Sequence, residues 1–304
     1  MGGVTITRDP NWPLASSLLT STARIDRVNV ALVGLATYAT SLTPRSSTSS
    51  ARAIRHALDR FSTWSYSDHV DLADYVSLVD YGDVSEPDGA MVHERLRALI
   101  DSFDQSIALR VVLGGDNAVT WHALRALSSD LTQWGLITLD AHLDLRDGVS
   151  NGSPVRQLLE AGLPGSHVVQ VGVTDFSNSA YYAKRASDVG ITVISRDELR
   201  RQPLDDVVAR ALEIAGANGR RVYVDIDMDA ADRAAVPGCP AAAPGGLSAD
   251  EMRRFVRRIT TDERVAAIDL TEIDVERDSD DERTVRLAAL LVLEALAGVW
   301  RRQS

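Results

Sequence analysis

The sequence predicts an α/β protein, a single three-layer α/β/α domain with a mostly parallel sheet, and three observations carry that expectation. Short apolar runs alternate along the chain with longer amphipathic stretches, the pattern of strands joined by crossover helices. Two of the apolar runs end in alternating carboxylates, around Asp140 and around Asp227, which suits a ligand site at the carboxyl edge of such a sheet. The 304 residues are 45% hydrophobic and 25% charged, a balance that supports a sizeable core in a chain of this length.

Residues 1–26 are polar and irregular, with Pro10 and Pro13, and are expected to lie over the surface as an N-terminal segment; the domain is assigned to 27–304. Residues 29–34 read as the first strand. A Ser/Thr-rich loop at 41–50, carrying Pro44 and Arg45, precedes a helix at 51–60. A strand at 75–80 and an amphipathic helix at 88–103 follow. The next strand, 107–113, runs into Gly114-Gly115-Asp116-Asn117, where the glycines permit a tight turn and close backbone approach. This turn lacks the Gly-Lys-Ser/Thr of a phosphate loop and the spacing of a dinucleotide fingerprint. The helix at 118–127 contains His122, read as a packing or surface histidine because it is isolated from the acidic runs.

Residues 134–139 form an apolar run bounded by Gly135 and predict a buried strand. A turn at 150–154 places Pro154 at the first position of a helix. Strands at 168–173 and 191–194 then alternate with helices at 179–187 and 204–215. The run from Arg221 ends in Asp225, Asp227 and Asp229, and a Pro/Gly-rich loop extends from Pro237 to Leu247. A helix at 249–260, a strand at 265–273 and a leucine-rich last helix complete the order, with Ser279 and Glu282 at capping-box spacing before that helix.

The formal net charge of −11 argues against a nucleic acid or an anionic membrane as partner. The single Cys239 excludes an internal disulfide and a cysteine zinc site and fits a reducing cytosol, so a cytoplasmic protein is expected. No apolar run of about 18 residues appears, as a spanning segment requires.

The chemistry sits in the acidic strand ends. In extended chain, alternate residues point to one side, so Asp140, His142 and Asp144 can converge, as can Asp225, Asp227 and Asp229. Like charges on one face are costly unless a cation or solvent compensates. Hard oxygen donors with one nitrogen suit a divalent ion such as manganese.

Taken in order, Gly114-Gly115-Asp116-Asn117, Asp140-Ala141-His142-Leu143-Asp144, Asp227-Met228-Asp229-Ala230-Ala231-Asp232 and Glu272-Ile273-Asp274 resemble the motifs of the ureohydrolase superfamily (arginase, agmatinase, formimidoylglutamase). The likeness covers roughly residues 27–300, with one departure: the family's first-motif histidine is Asn117 here. The resemblance implies an arginase-like fold, a homo-oligomer and two Mn(II) ions bridged by Asp140 and Asp227. One ion adds His142 and Asp229; the other adds Asp144 and Asn117. It implies attack of a metal-bridging hydroxide on a linear amidine or guanidine, with Asp144 or Asp140 carrying the proton and Glu272 facing the cationic substrate group. Asp232 is read as a supporting residue rather than a ligand.

Arg146, Asn151 and Arg156 fall where the family's substrate-tail residues lie, and arginines suit a carboxylate tail. The resemblance is therefore closest to formimidoylglutamase, which hydrolyses N-formimidoyl-L-glutamate to L-glutamate and formamide in histidine breakdown. Two alternatives stay open: a guanidino-acid or agmatine ureohydrolase releasing urea, and a metal-poor, non-catalytic homologue.

Overall fold

Apolar runs bounded by glycine become strands here, and all of the longer ones join one sheet. The computed structural model describes residues 9–303. In chain order the strands are β1 (Leu19–Thr20), β2 (Val28–Leu35), the short pair β3 (Trp64–Ser65) and β4 (Val70–Asp71), β5 (Val76–Asp83), β6 (Ile107–Gly114), β7 (Trp134–Leu139), β8 (Val168–Val173), β9 (Thr192–Ser195), β10 (Arg221–Asp227) and β11 (Val265–Thr271). The helices are α1 (Ser50–Ala57), α2 (Val92–Asp101), α3 (Ala118–Leu127), α4 (Pro154–Glu160), α5 (Ala180–Asp188), α6 (Arg196–Arg200), α7 (Leu204–Ala215), α8 (Ala249–Ile259) and α9 (Arg283–Trp300).

The nine-stranded sheet runs β1-β5-β2-β6-β11-β10-β7-β8-β9, and every pairing within it is parallel. β3 and β4 pair antiparallel, outside it. Both faces are covered, so the central strands are apolar on both sides. In β7, Ile137 and Leu139 face the cluster built with α1, α7, α8 and α9, whereas Trp134 and Leu136 face the one built with α2, α3 and α4. The predicted three layers are present. Among the described residues no helix is long and apolar enough to cross a membrane.

One crossover decides where the site lies. The chain leaves β6 through α3 and enters β7, but the two strands are not neighbours: β11 and β10 occupy the positions between them. Such a reversal of strand order opens a crevice at the carboxyl ends of the strands.

Several expected boundaries move, each for a local reason. The helix expected at 88–103 begins at Val92, because the Asp88 carboxylate instead accepts from the N–H groups of Tyr38 and Ala39 at 3.1 Å. Ser279 and Glu282 form no capping box: Glu282 is left-handed, with φ 56°, and Asp278 accepts from the N–H groups of Thr284 and Val285 at 3.1 and 3.0 Å. A true capping box stands at α8, between Ser248 and Glu251. Of the N-terminal segment, residues 1–8 lie outside the described residues; beyond them Trp12 is exposed, while Ala15 and Leu18 are buried and β1 joins the sheet edge beside β5.

Candidate metal centre

The four central strands β6, β11, β10 and β7 each deliver polar side chains to the crevice at their carboxyl ends. At the end of β6, a Cβ on Gly115 would lie 2.1 Å from the Thr37 carbonyl oxygen, so only glycine lets the two loops approach this closely. The next residue, Asp116, exploits that approach: it accepts from the hydroxyls of Thr37 at 2.5 Å and Ser41 at 2.9 Å. Asn117 follows. Its backbone N–H donates to Glu272 Oε1 at 2.9 Å, its Nδ2 to Asp144 Oδ2 at 2.5 Å, and its Oδ1 accepts from Thr120 Oγ1 at 2.9 Å.

At the end of β7 the chain does not stay extended. The strand stops at Leu139, the Asp140 carboxylate accepts from the His142 N–H at 2.6 Å, and Asp144 adopts a left-handed φ of 51°. The acidic side chains therefore converge through a bend, not through strand alternation. Likewise β10 ends at Asp227, whose Oδ1 accepts from the Asp229 N–H at 2.7 Å and starts a tight turn. Asp229 then reaches across the crevice: Oδ1 accepts from the Ala141 N–H at 3.1 Å, and Oδ2 lies 2.8 Å from His142 Nδ1. At the end of β11, Glu272 is also left-handed, with φ 58°. Two strained non-glycine residues in one crevice mark a place where function outweighs backbone preference.

Two groups of donors have atoms within 4.8 Å of one another: Asp140, His142 and Asp229, and Asp140, Asp144 and Asp225. Asp140 belongs to both, as a bridging carboxylate must. Asp227, expected to bridge as well, lines the cavity but enters neither group among the described residues; one of its oxygens is held by the Asp229 N–H. Asn117 presents its amide nitrogen, not its oxygen, toward Asp144. The donor set fits a divalent ion: Asp140 and Asp225 are fully buried, and an oxygen on each, Oδ2, accepts no hydrogen bond. Buried charges without partners are costly.

The electrostatics say the same. Burial, reinforced by the Asp229 charge, pushes the Asp140 carboxyl up to about 7. Burial and neighbouring carboxylates push Asp144, Asp225 and Asp227 well above the usual range. Burial opposes charge on His142, but Asp229 and Asp140 outweigh it and hold the imidazolium up to about 12. For Asp229 the opposing effect of burial is outweighed by His142, which lowers it. In the metal-free chain Asp140, Asp144, Asp225, Asp227 and His142 hold on to protons that an ion must displace.

A pH dependence follows. Between the ordinary 3.8 and about 7, folded Asp140 binds a proton that the unfolded chain has lost, so metal-free stability falls as pH rises through that window. Affinity for a divalent ion rises over the same window. Calorimetric titrations in buffers of different ionisation enthalpy are expected to show proton release on binding, and affinity independent of pH there would refute the assignment.

Over this floor lies a cavity of about 360 Å³ lined by His142, Asp144, Arg146, Asn151, Asp227, Asp229 and Glu272. Asn151 ties its wall together: Nδ2 donates to Glu272 Oε1 at 2.8 Å and Oδ1 accepts from the Leu42 N–H at 2.9 Å. Arg156, expected to bind substrate, is not brought to the cavity. Its guanidinium is engaged by the carbonyls of Arg146 and Gly148 and by Glu160, so it supports the turn that carries Arg146. Arg45 was expected only as part of a Ser/Thr loop that by family likeness could border the active-site mouth, with no role of its own. Its guanidinium lies 3.3 Å from Glu272 Oε2, with side-chain exposures of 2% and 4%, and it also donates to the Ile273 carbonyl. No periodic signal marks a cation in a Ser/Thr loop.

Carboxylates, one imidazole and one amide gathered at the ends of four parallel strands, with an arginine in the cavity wall above them, define a metal-dependent hydrolase. The family model described as the arginase family matches residues 28–298, and the chain belongs to that family. It is 33% identical over 278 residues to the formimidoylglutamase of Halalkalibacterium halodurans, covering 88% of this chain and 86% of that one. The crystal structure of formimidoylglutamase from Bacillus subtilis superposes with a TM-score of 0.85 at 26% identity, over 98% of this chain and 95% of that one. The Trypanosoma cruzi formiminoglutamase solved with Mn2+ shares the fold, with a TM-score of 0.82 at 24% identity over 95% of this chain and 99% of that one.

Proposed function

We propose that the chain hydrolyses the C–N bond of N-formimidoyl-L-glutamate, giving L-glutamate and formamide, with two Mn(II) ions held by Asp140, His142, Asp144, Asp227 and Asp229 and with Asn117 holding Asp144 in place. Arg146 carries this reading. It lines the cavity and has no ion-pair partner among the described residues. Asp147, the adjacent carboxylate, is taken by Arg185 at 2.8 Å. A free guanidinium above an acidic floor fits a substrate with a carboxylate at one end and a cationic amidine at the other. The relative from Halalkalibacterium halodurans bears the name of this activity, and the trypanosomal protein was solved with Mn2+; both support the reading.

Two bound divalent ions supply Lewis acidity and make water nucleophilic near neutral pH. The protein does the rest. Glu272 Oε1 already accepts from Asn117 and Asn151, while Oε2 carries Arg45 alone, so Oε2 retains acceptor capacity for an amidine N–H. Asn151 and Arg45 thereby fix the carboxylate that orients the substrate. Asp144, anchored through Oδ2 by Asn117, delivers a proton to the departing glutamate nitrogen. His142, paired with Asp229, keeps that side of the floor in register.

The test is formamide release by the Mn-reconstituted protein, with metal per chain measured on the same sample. Arg146→Ala is expected to raise KM about tenfold to hundredfold, the loss of a charge-assisted hydrogen bond, while metal content stays constant. Metal lost in parallel would make Arg146 a scaffold residue. Urea from a guanidino acid, with no formamide, would replace the proposed reaction by the urea-releasing one.

A further inference from the structure

We propose that Asp225 is a direct ligand of the ion on the Asn117 side of the centre, supplying the anionic donor that the asparagine does not. Asp225 lies on β10, two residues before Asp227 and four before Asp229 in the turn that follows, and three independent observations aim it at this position. Its carboxylate belongs to the donor group formed with Asp140 and Asp144. It is fully buried, and its Oδ2 accepts no hydrogen bond, a property shared with Asp140 Oδ2. It also stands beside Asn117: Thr271 Oγ1 lies 3.2 Å from Asn117 Oδ1 and 3.4 Å from Asp225 Oδ1. That hydroxyl has a single proton and can satisfy only one of the two oxygens.

Besides an ion, the surroundings leave Asp225 one compensation, a proton shared with the neighbouring Asp269 carboxyl. Its register partner on β11 is Asp269, a second carboxylate that accepts from Tyr223 OH at 2.7 Å and the Ile226 N–H at 3.3 Å and competes with Asn117 Oδ1 for the one Thr120 hydroxyl proton. On the other side its register partner is Thr138, whose hydroxyl finds no partner either. Arg45, the buried cation of the crevice, is committed to Glu272. A divalent ion between Asp140, Asp144 and Asp225 resolves the unpaired oxygens at once. Asn117 then serves chiefly as a hydrogen-bond donor that holds Asp144, and its amide needs no rotation to bring oxygen forward.

The inference rests on the two-ion centre and not on which amidine is cleaved. Its test is metal binding by the full chain, with manganese counted per chain and the exchange-coupled Mn(II) pair read by electron paramagnetic resonance. Asp225→Asn is expected to weaken one of the two ions by at least about tenfold, since even residues that only support ligands cost about that much, and to abolish the coupled signal. Asn117→His in that background is expected to restore it, because imidazole is the stronger donor. Two ions of unchanged affinity in Asp225→Asn overturn the proposal and leave the metal centre standing. Fewer than one ion per chain in the unsubstituted protein overturns both. Because Asp225→Asn can impair folding, anomalous diffraction from Mn-loaded crystals of the unsubstituted protein supplies a direct check: manganese in contact with a carboxylate oxygen of Asp225 supports the assignment. Asp225 sharing a proton with Asp269, away from the ion, refutes it.

Discussion

Arg45→Ala is expected to destabilise the protein by about 3–5 kcal/mol and to remove most turnover. The substitution leaves the Glu272 carboxylate buried without its cation, and breaking a buried ion pair from one side costs that much. Arg45 and Glu272 are only 2% and 4% exposed, so water cannot take the cation's place. The loss is a large share of the total stability of a domain. Denaturant unfolding reads the effect, and Arg45→Ala combined with Glu272→Gln provides the control: with the charge gone, the double variant should recover much of the stability but none of the activity. Equal destabilisation by the single and double variants would show that Arg45 acts through packing alone.

Asp140→Asn should produce the opposite pattern. Asp140 is common to both donor groups, so both ions are expected to be lost and turnover to fall by about 10³-fold or more, several kcal/mol of Lewis-acid stabilisation. The metal-free variant should nevertheless be at least as stable as the metal-free parent, because a buried carboxylate facing Asp229 is replaced by a neutral amide. Thermal unfolding with and without manganese separates the two effects. Retention of two ions by the variant would exclude Asp140 as a bridge.

Much of the fold was legible because strands buried on both faces read as continuous apolar runs, and these runs stop at polar residues or glycine: β6 runs into Gly115-Asp116, β7 into Asp140, and β10 ends at Asp227. That His142 and Asp229 come together was implied by the family resemblance and not by either acidic run on its own. The helix ends were not legible, because Asp88 and Asp278 serve partners that their own neighbourhoods do not reveal. Arg156 was misread for a related reason: composition gave it a positive charge, but Glu160, one helical turn on, and two carbonyls claim it. Asp225 was visible in the alternation of β10, yet its role depends on Asn117 and Thr271, which arrive from β6 and β11. Arg45 could be placed only in a loop that family likeness brings near the mouth of the site; its pairing with Glu272 was not legible, since a long-range ion pair has no local periodicity.

The insertion of β10 and β11 between β6 and β7 also sets an order of events during synthesis. When β7 has left the ribosome, Asp140, His142 and Asp144 exist, but Asp225, Asp227 and Asp229 lie some eighty residues further along. The two middle strands must enter a gap that the earlier half of the chain holds open or leaves unmade, and such distant parallel pairings form slowly. Neither donor group is complete until β10 is seated. Nascent chain should therefore show no tight manganese binding before the last quarter of the sequence emerges, so ion loading comes as a late step that locks a sheet already closed.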